Sequence, residues 1–288
     1  MDESKKIIPE NVTLIENQDT KITVNFVCPD DDGGIVLSLH CKGVIPYGYW
    51  VRSAAIDGVM CEPYDNFLKP VEEGDLEFTL MMVYGTGASL PDGNGGYTKP
   101  VLDEINEIKL DIVVLEDDGS YGDVEEPDDV MANTHGIASK TICEFYPNGG
   151  TKTPEYTIGG VRAVVFDNEQ FAVFIKDIMD SERIAFPDSE EYRHKVKSKK
   201  VFLAFINKTP EEMFISTHSC LINGEPAEVS HIASRVLSGL SAIDAVQYSR
   251  PEDEYNNEIK QMRFAVAVQQ ASPEGPKLLM NNAVDIKL

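Results

Sequence analysis

Apolar and polar residues alternate along much of this chain, in short runs separated by Gly, Pro, Asn and Asp. In the run IVLSLHC, Ile35, Leu37, Leu39 and Cys41 fall on one face of a strand, and the residues between them fall on the other. Similar runs occupy residues 21–27, 49–56, 76–83, 108–115, 161–166, 171–178, 200–207, 262–268 and 283–288. The pattern predicts an all-β protein of half-buried strands, with weak helical candidates at residues 180–192 and 233–245.

One segment of the chain recurs without a gap. Residues 35–58 (IVLSLHCKGVIPYGYWVRSAAIDG) match residues 201–224 (VFLAFINKTPEEMFISTHSCLING), with identities that include Leu37 with Leu203 and Gly58 with Gly224. Asp57-Gly58 and Asn223-Gly224 both favour the positive φ angles of a type I′ turn. The repeat therefore predicts the same hairpin in two copies of one fold.

The repeat also indicates where the chain divides. The tetrapeptide NEIK occurs at residues 106–109 and again at residues 257–260, each time before an alternating run. Pro, Gly and Thr are frequent in residues 146–156, as is typical of a linker. We expect an acidic β-sandwich domain at residues 1–150 and a second β-sandwich repeat at residues 151–288, each with roughly seven short strands.

The second repeat carries a family resemblance. The run KVFLAFINKTPEEMFISTHSCLINGEPAEV, with the closing strands MRFAVAV and AVDIKL, resembles immunoglobulin-like domains of unknown function found in Gram-positive surface lipoproteins. The resemblance implies two tandem immunoglobulin-like antiparallel β-sandwiches at the bacterial cell surface or in the secreted fraction, and it supplies no catalytic residue. The chain lacks the lipoprotein signal and lipidated Cys of that pattern, which leaves a cytoplasmic location open.

The net charge of −24 narrows the choice of partners. Residues 1–150 carry 29 acidic and 9 basic side chains, a net −20, whereas residues 151–288 carry 20 and 16, a net −4. Such a charge repels phosphate backbones and anionic lipid, so we expect no nucleic acid partner and favour a basic protein. No stretch is apolar for long enough to span a membrane as a helix, and the sequence leaves the oligomeric state open.

Two acidic runs are the candidate cation ligands. PDDDGG (residues 29–34) and EDDGSYGDVEEPDD (residues 116–129) place carboxylates beside turn-forming Gly, and Ca²⁺ prefers such oxygen ligands. The candidate ligands are Asp30, Asp31, Asp32, Asp117, Asp118 and Asp123, and the candidate partner-binding residues are Glu125, Glu126, Asp128 and Asp129. The alternative is a solvated acidic hairpin that binds no metal. No other cofactor is expected.

The remaining chemistry favours a protein that is not an enzyme. The five cysteines include no C-x-x-C pair and are expected to be buried free thiols. No nucleophile elbow, phosphate-binding loop or zinc-binding histidine spacing occurs. The sequence predicts a binding, adhesion or assembly module. The alternatives are an intracellular assembly protein, or a carbohydrate-binding module with a shallow aromatic site at Tyr47, Tyr49, Trp50 and Tyr64.

Overall fold

The structure is a computed structural model that describes most of the chain. The described residues are 2–10, 12–18, 20–31, 34–43, 48–64, 75–84, 90–91, 97–98, 101–117, 134–149, 161–187, 190 and 192–288.

The described residues form strands almost throughout, with two short 3₁₀ helices at Glu3–Lys5 and Leu102–Glu104. In chain order the strands are β1 (Thr13–Glu16), β2 (Thr20–Pro29), β3 (Ile35–Gly43), β4 (Gly48–Ile56), β5 (Val59–Tyr64), β6 (Asp75–Tyr84), β7 (Leu90–Pro91), β8 (Tyr97–Thr98), β9 (Ile108–Asp117), β10 (Thr134–Phe145), β11 (Ala163–Asp167), β12 (Phe171–Ala185), β13 (His194–Asn207), β14 (Met213–Ile222), β15 (Glu225–Pro226), β16 (Ala233–Val236), β17 (Ser241–Pro251), β18 (Gln261–Gln270) and β19 (Lys277–Lys287). Every run predicted as a strand lies in one of these strands or overlaps it. Among the described residues of the two weak helical candidates none is helical, and most lie in strands or turns, so the helical interpretation was wrong there.

The chain divides into two compact units. The first contains Met1–Ser89 and Lys99–Tyr156, and the second contains Leu90–Thr98 and Thr157–Leu288. The division at Tyr156 falls at the end of the proline- and glycine-rich segment 146–156.

The two units share one antiparallel strand order. In the second unit, one sheet has the order β11-β12-β13-β17 and the other has the order β15-β14-β18-β19, with β16 also paired to β14. In the first unit the corresponding orders are β1-β2-β3-β6 and β5-β4-β9-β10. The first unit differs in that β5 also pairs with β6, which joins its two sets of strands edge to edge.

The repeated hairpin turn has the predicted conformation in both copies. Asp57 and Gly58 have φ angles of 48° and 81°, and Asn223 and Gly224 have φ angles of 50° and 89°. All four angles are positive, as a type I′ turn requires.

The NEIK motif, by contrast, is not structurally equivalent in the two copies. Opposite the repeated hairpin, Ile56 pairs with Ile108 in the first unit and Ile222 pairs with Met262 in the second. Structurally, Ile108 therefore corresponds to Met262, whereas the NEIK match aligns it with Ile259 three residues earlier. The prediction that β9 and β18 correspond is confirmed, but the tetrapeptide match that suggested it was wrong in register.

The core is apolar on both sides of the central strands. In β3, Ile35, Leu37 and Leu39 are fully buried, as expected, but Val36 and Ser38 on the opposite face are buried too. The prediction that this strand is half-buried was therefore wrong over this stretch. A strand covered on both faces loses the simple contrast between an apolar and a polar side.

Four of the five cysteines have side chains that the structure describes. Cys28, Cys41, Cys61 and Cys220 are buried free thiols, as predicted. No helix among the described residues is long and apolar enough to cross a membrane.

Candidate binding surface on the second unit

A long hairpin of β12 and β13 dominates one end of the second unit. The two strands pair from Phe171 and Asn207 to Ala185 and His194. Their neighbour β17 pairs with β13 only as far as Val196. The tip of the hairpin therefore extends past the sheet that supports it.

Apolar side chains are exposed near this tip. Ile184, Phe186 and Tyr192 are 43%, 62% and 61% exposed, and the Phe186 ring lies 6.0 Å from the His194 ring. Phe186 has a φ angle of 51°, a left-handed conformation that is uncommon for a bulky residue. Exposed apolar groups gathered at one place are typical of a surface that contacts another molecule.

Charged side chains line the same hairpin closer to the sheet. Lys195, Lys197 and Lys199 alternate along β13 and therefore project from one face. Lys199 Nζ lies 2.6 Å from Asp180 Oδ1, and Lys195 Nζ lies 2.5 Å from Glu182 Oε2. These pairs cross from β13 to β12, so the face carries cations on one strand and carboxylates on the next.

The charges on β13 continue onto the segment that follows β17. Lys197 Nζ lies 2.9 Å from Glu252 Oε1, and Lys195 Nζ lies 3.6 Å from the same oxygen. The hydrogen bond from Lys197, with the charge of Lys195, holds the pKa of Glu252 below its ordinary value. The hydrogen bond to Glu182 raises the pKa of Lys195, so both groups stay charged at neutral pH.

A groove of about 210 Å³ opens between this charged face and the segment that leads to β18. Tyr255 lies at the groove with its ring 5.6 Å from Tyr248, and partial burial raises the pKa of Tyr255 to about 12. We use the name hairpin surface for the exposed tip, the charged face and the groove wall together, namely Asp180, Glu182, Ile184, Phe186, Tyr192, Lys195, Lys197, Lys199 and Tyr255.

The candidate cation ligands of the sequence fall largely outside the described residues. Asp30 and Asp31 follow β2, where Asp30 N donates to Gly34 O at 2.8 Å. Asp117 is the last residue of β9, and nothing is described of its side chain. The remaining candidates, Asp32, Asp118, Asp123, Glu125, Glu126, Asp128 and Asp129, lie outside the described residues. Where side chains are described, no group of three or more His, Cys, Asp or Glu is placed to hold a metal ion.

The predicted aromatic site is only partly described. Trp50 lies in β4, as its sequence context predicted, and pairs with Val113 of β9. Tyr49 and Tyr64 are strand residues whose side chains are not described, and Tyr47 lies outside the described residues.

The first unit contains a buried ion pair with no counterpart in the second. Arg52 of β4 places a guanidinium nitrogen 2.6 Å from Asp111 Oδ1, and Asp111 is fully buried in β9. The register of the two hairpins puts His218 and Ala265 at the equivalent positions. The pair therefore belongs to one copy and does not maintain the shared fold.

The hairpin surface is not among the sites predicted from the sequence, because the pattern in residues 180–192 suggested a weak helix. Two signals in the sequence point to a strand pair there. Lysines recur at every second residue in HKVKSKK, and Asp180, Glu182 and Ile184 keep the same period in the preceding segment.

Comparisons with known proteins identify no family. No protein-family model matches the chain, and no curated protein matches it. Among solved structures, a β-glucuronidase 2 of Bacteroides uniformis, covalently bound to cyclophellitol-6-carboxylate aziridine, aligns with 97% of this chain at 10% identity and a TM-score of 0.26; this chain spans 28% of its length. The N-terminal periplasmic domain of ScsB from Proteus mirabilis aligns with 94% of this chain and 96% of its own at 8% identity and a TM-score of 0.21. Similarities this low carry no argument about fold or function.

Proposed function

We propose that this protein is a non-enzymatic binding or assembly module, built from two immunoglobulin-like sandwiches, that engages a protein partner through the hairpin surface. Immunoglobulin-like sandwiches place their first, second and fifth strands in one sheet and their third, sixth and seventh in the other. The orders β12-β13-β17 and β14-β18-β19 support this reading of the second unit, and the matching order in the first supports a tandem.

The observation that carries the binding role is the exposed hairpin tip. A bulky aromatic residue in a left-handed conformation costs roughly 1–2 kcal/mol, and exposing its ring to water gains nothing in the isolated protein. Phe186 has both a left-handed backbone conformation and an exposed ring, and the side chains of Ile184 and Tyr192 are exposed near it. Burial of these side chains against a partner would make this arrangement favourable.

The test compares capture of a partner by matched variants of the full chain. The double variant Phe186→Ser/Tyr192→Ser removes the apolar tip, whereas Val164→Ser/Leu278→Ser changes two comparably exposed side chains that are 63% and 55% accessible. Each chain is immobilised, exposed to bacterial cell-surface extract and assayed for retained protein. The first variant should lose about tenfold or more of the captured partner, and the second should retain it. Equal capture by both variants would contradict the proposal.

A further inference from the structure

Two histidines lie on neighbouring segments of one sheet in the second unit. His218 belongs to β14, and His231 lies two residues before β16. The pairing of β14 with β16 ends with Ser216 opposite Ala233. Continued by two residues, the same register places His231 directly opposite His218.

A backbone hydrogen bond shows that the two segments stay side by side beyond the last pair of the ladder. Thr217 N donates to Ile232 O at 3.0 Å, one residue before the two histidines. In an antiparallel pair, each hydrogen-bonded position is followed by one at which the Cα atoms are only roughly 4.5 Å apart and the side chains approach each other. His218 and His231 occupy that next position, and directly opposed residues project from the same face of a sheet.

The His231 ring is held against β14 by a threonine. His231 Nδ1 lies 3.2 Å from Thr217 Oγ1, and Thr217 Oγ1 also accepts from Ile232 N at 2.9 Å. Thr217 is only 5% exposed, so its hydroxyl is a fixed anchor for the ring. When the Nδ1–H donates to this hydroxyl oxygen, the lone pair of the imidazole lies on Nε2. Histidine ligands of metal ions are commonly oriented in this way through their second ring nitrogen.

The two imidazoles also interact electrostatically. Partial burial lowers the pKa of His231, and the charge of His218 lowers it further. Protonation of both rings at once is therefore disfavoured, and His231 is mainly neutral at pH 7. Neutral imidazole is the form that binds a metal ion, and both residues are exposed, so an ion in solution can reach them.

The neighbours of His218 on the other side of β14 are small and apolar. Ala265 of β18 pairs with His218, and Ala283 of β19 pairs with Ala265. An alanine side chain has no polar atom, so neither residue competes with a metal ion for the His218 ring. The net charge of −24 on the chain also raises the local concentration of cations.

We propose that His218 and His231 bind one divalent transition-metal ion of the Zn²⁺ or Cu²⁺ class, through one ring nitrogen of each residue. Imidazole suits these cations, whereas Ca²⁺ and Mg²⁺ prefer oxygen ligands. Water fills the remaining positions around the ion. Thr217 is a positioning residue that orients His231. The bound ion joins β14 to the segment leading into β16 and stabilises the second unit, a role independent of the hairpin surface.

The first experiment adds ZnCl₂ alone to the full chain at pH 7.5, in a buffer that does not bind the metal. Millimolar Mg²⁺ is present throughout to occupy sites made of carboxylates. Long-range ¹H–¹⁵N nuclear magnetic resonance spectra follow the ring nitrogens of the five histidines. His231 Nε2 and one ring nitrogen of His218 should shift together, while His231 Nδ1 keeps its proton. Zinc-induced shifts that leave His218 and His231 unchanged would overturn the site.

Matched variants test each ligand by isothermal titration calorimetry. His218→Gln and His231→Gln each remove one imidazole from an exposed position. Loss of an outer partner of a metal ligand already costs about 10–100-fold in affinity, so each variant should bind Zn²⁺ at least about tenfold more weakly. His194→Gln changes another exposed histidine and should leave the affinity unchanged. Natural affinity in either ligand variant would contradict the proposal.

A second pair of variants tests the anchor. Thr217→Val removes the hydroxyl and should weaken Zn²⁺ binding several-fold, whereas Thr217→Ser keeps the hydroxyl and should bind like the natural chain. Equal affinities of these two variants would overturn the positioning role of Thr217. If Thr217→Val fails to fold, the ring-nitrogen spectra of the natural chain still decide whether the histidine pair binds the ion.

Discussion

Asp57 and Asn223 occupy the same corner of the two repeats, and each uses its side-chain Oδ1 to hold the start of the strand opposite. The backbone N–H donors are 2.8 to 3.2 Å away and come from Asn106 and Glu107 in the first unit and from Lys260 and Gln261 in the second. The corner therefore needs an acceptor, which either a carboxylate or an amide can supply.

The two corners differ in the second polar atom of the side chain, which is an amide nitrogen in Asn223 and a carboxylate oxygen in Asp57. Asn223 Nδ2 donates to Glu258 O at 2.8 Å, a bond that an ionised carboxylate cannot make. Asp57 lies next to Glu107, which is only 2% exposed. Burial raises the pKa of Asp57 despite the two backbone hydrogen bonds, and the charge of Glu107 raises it further.

Asp57→Asn should stabilise the first unit at neutral pH. Because the pKa of Asp57 is raised in the folded state, its contribution to stability is fully present below the unfolded pKa and is lost as pH rises through the folded pKa. An amide has no such loss, so the gain in melting temperature should be larger at pH 7 than at pH 3.5. The gain in unfolding free energy should stay below about 1 kcal/mol, since Asp57 is only partly buried.

The reciprocal change, Asn223→Asp, provides the control. It removes the hydrogen bond to Glu258 O and sets a carboxylate oxygen against that carbonyl at an exposed position, so it should cost about 0.5–1.5 kcal/mol at neutral pH. Thermal unfolding of both variants at pH 7 and at pH 3.5 tests these two expected changes in stability. A destabilised Asp57→Asn chain at pH 7 would contradict the account.

Much of the fold could be predicted from the sequence because short local patterns mark the strands and turns of each repeat. Alternation located the strands around Ile35 and Phe171, and the Asp-Gly and Asn-Gly pairs located the turns. These signals depend on neighbouring residues only.

The remaining features depend on pairing between distant residues, which local patterns do not reveal. Ile108 and Met262 are equivalent because each pairs with the last residue of the strand before the repeated turn. The second NEIK lies three residues before the equivalent position. The point at which β11 begins to pair with β12, at Ala163 with Ile175, is likewise set by the partner strand, and no residue within β12 signals it.

Asn207→Ala should be among the most costly single changes in the second unit. The side chain is fully buried, and its Nδ2 donates to Glu211 O at 2.7 Å and Val236 O at 3.1 Å. Its Oδ1 accepts from Thr209 N and Thr209 Oγ1, both at 2.9 Å. Truncation leaves several buried polar groups unsatisfied, at a cost of about 3 kcal/mol. Urea unfolding measures the change in the free energy of unfolding. The exposed control Asn281→Ala should change it by less than about 0.5 kcal/mol. A similarly small change for Asn207→Ala would contradict the prediction.

Calcium binding by the acidic runs stays a prediction of the sequence. If Asp117, Asp118 and Asp123 contribute ligands, millimolar Ca²⁺ should raise the melting temperature of the full chain, because a ligand that binds only the folded state stabilises it. Replacing the three by Asn should remove the rise. An equal rise with Mg²⁺ at matched ionic strength would indicate general charge screening instead.

The four described cysteines should resist alkylation in the native protein. Cys28 and Cys41 are at most 1% exposed, so a reagent reaches them only when the strands open. Burial raises the pKa of Cys61, and it raises the pKa of Cys220 from 9.0 to about 11, which lowers the reactive thiolate fraction of Cys220 about a hundredfold. Treatment with N-ethylmaleimide at pH 7.5, followed by peptide mass mapping, should therefore label these four sites far more slowly in buffer than in guanidinium chloride. Mapping separates them from Cys143, whose side chain is not described. Rapid native labelling of Cys61 or Cys220 would show that β5 or β14 opens readily and would contradict the packing described for that strand.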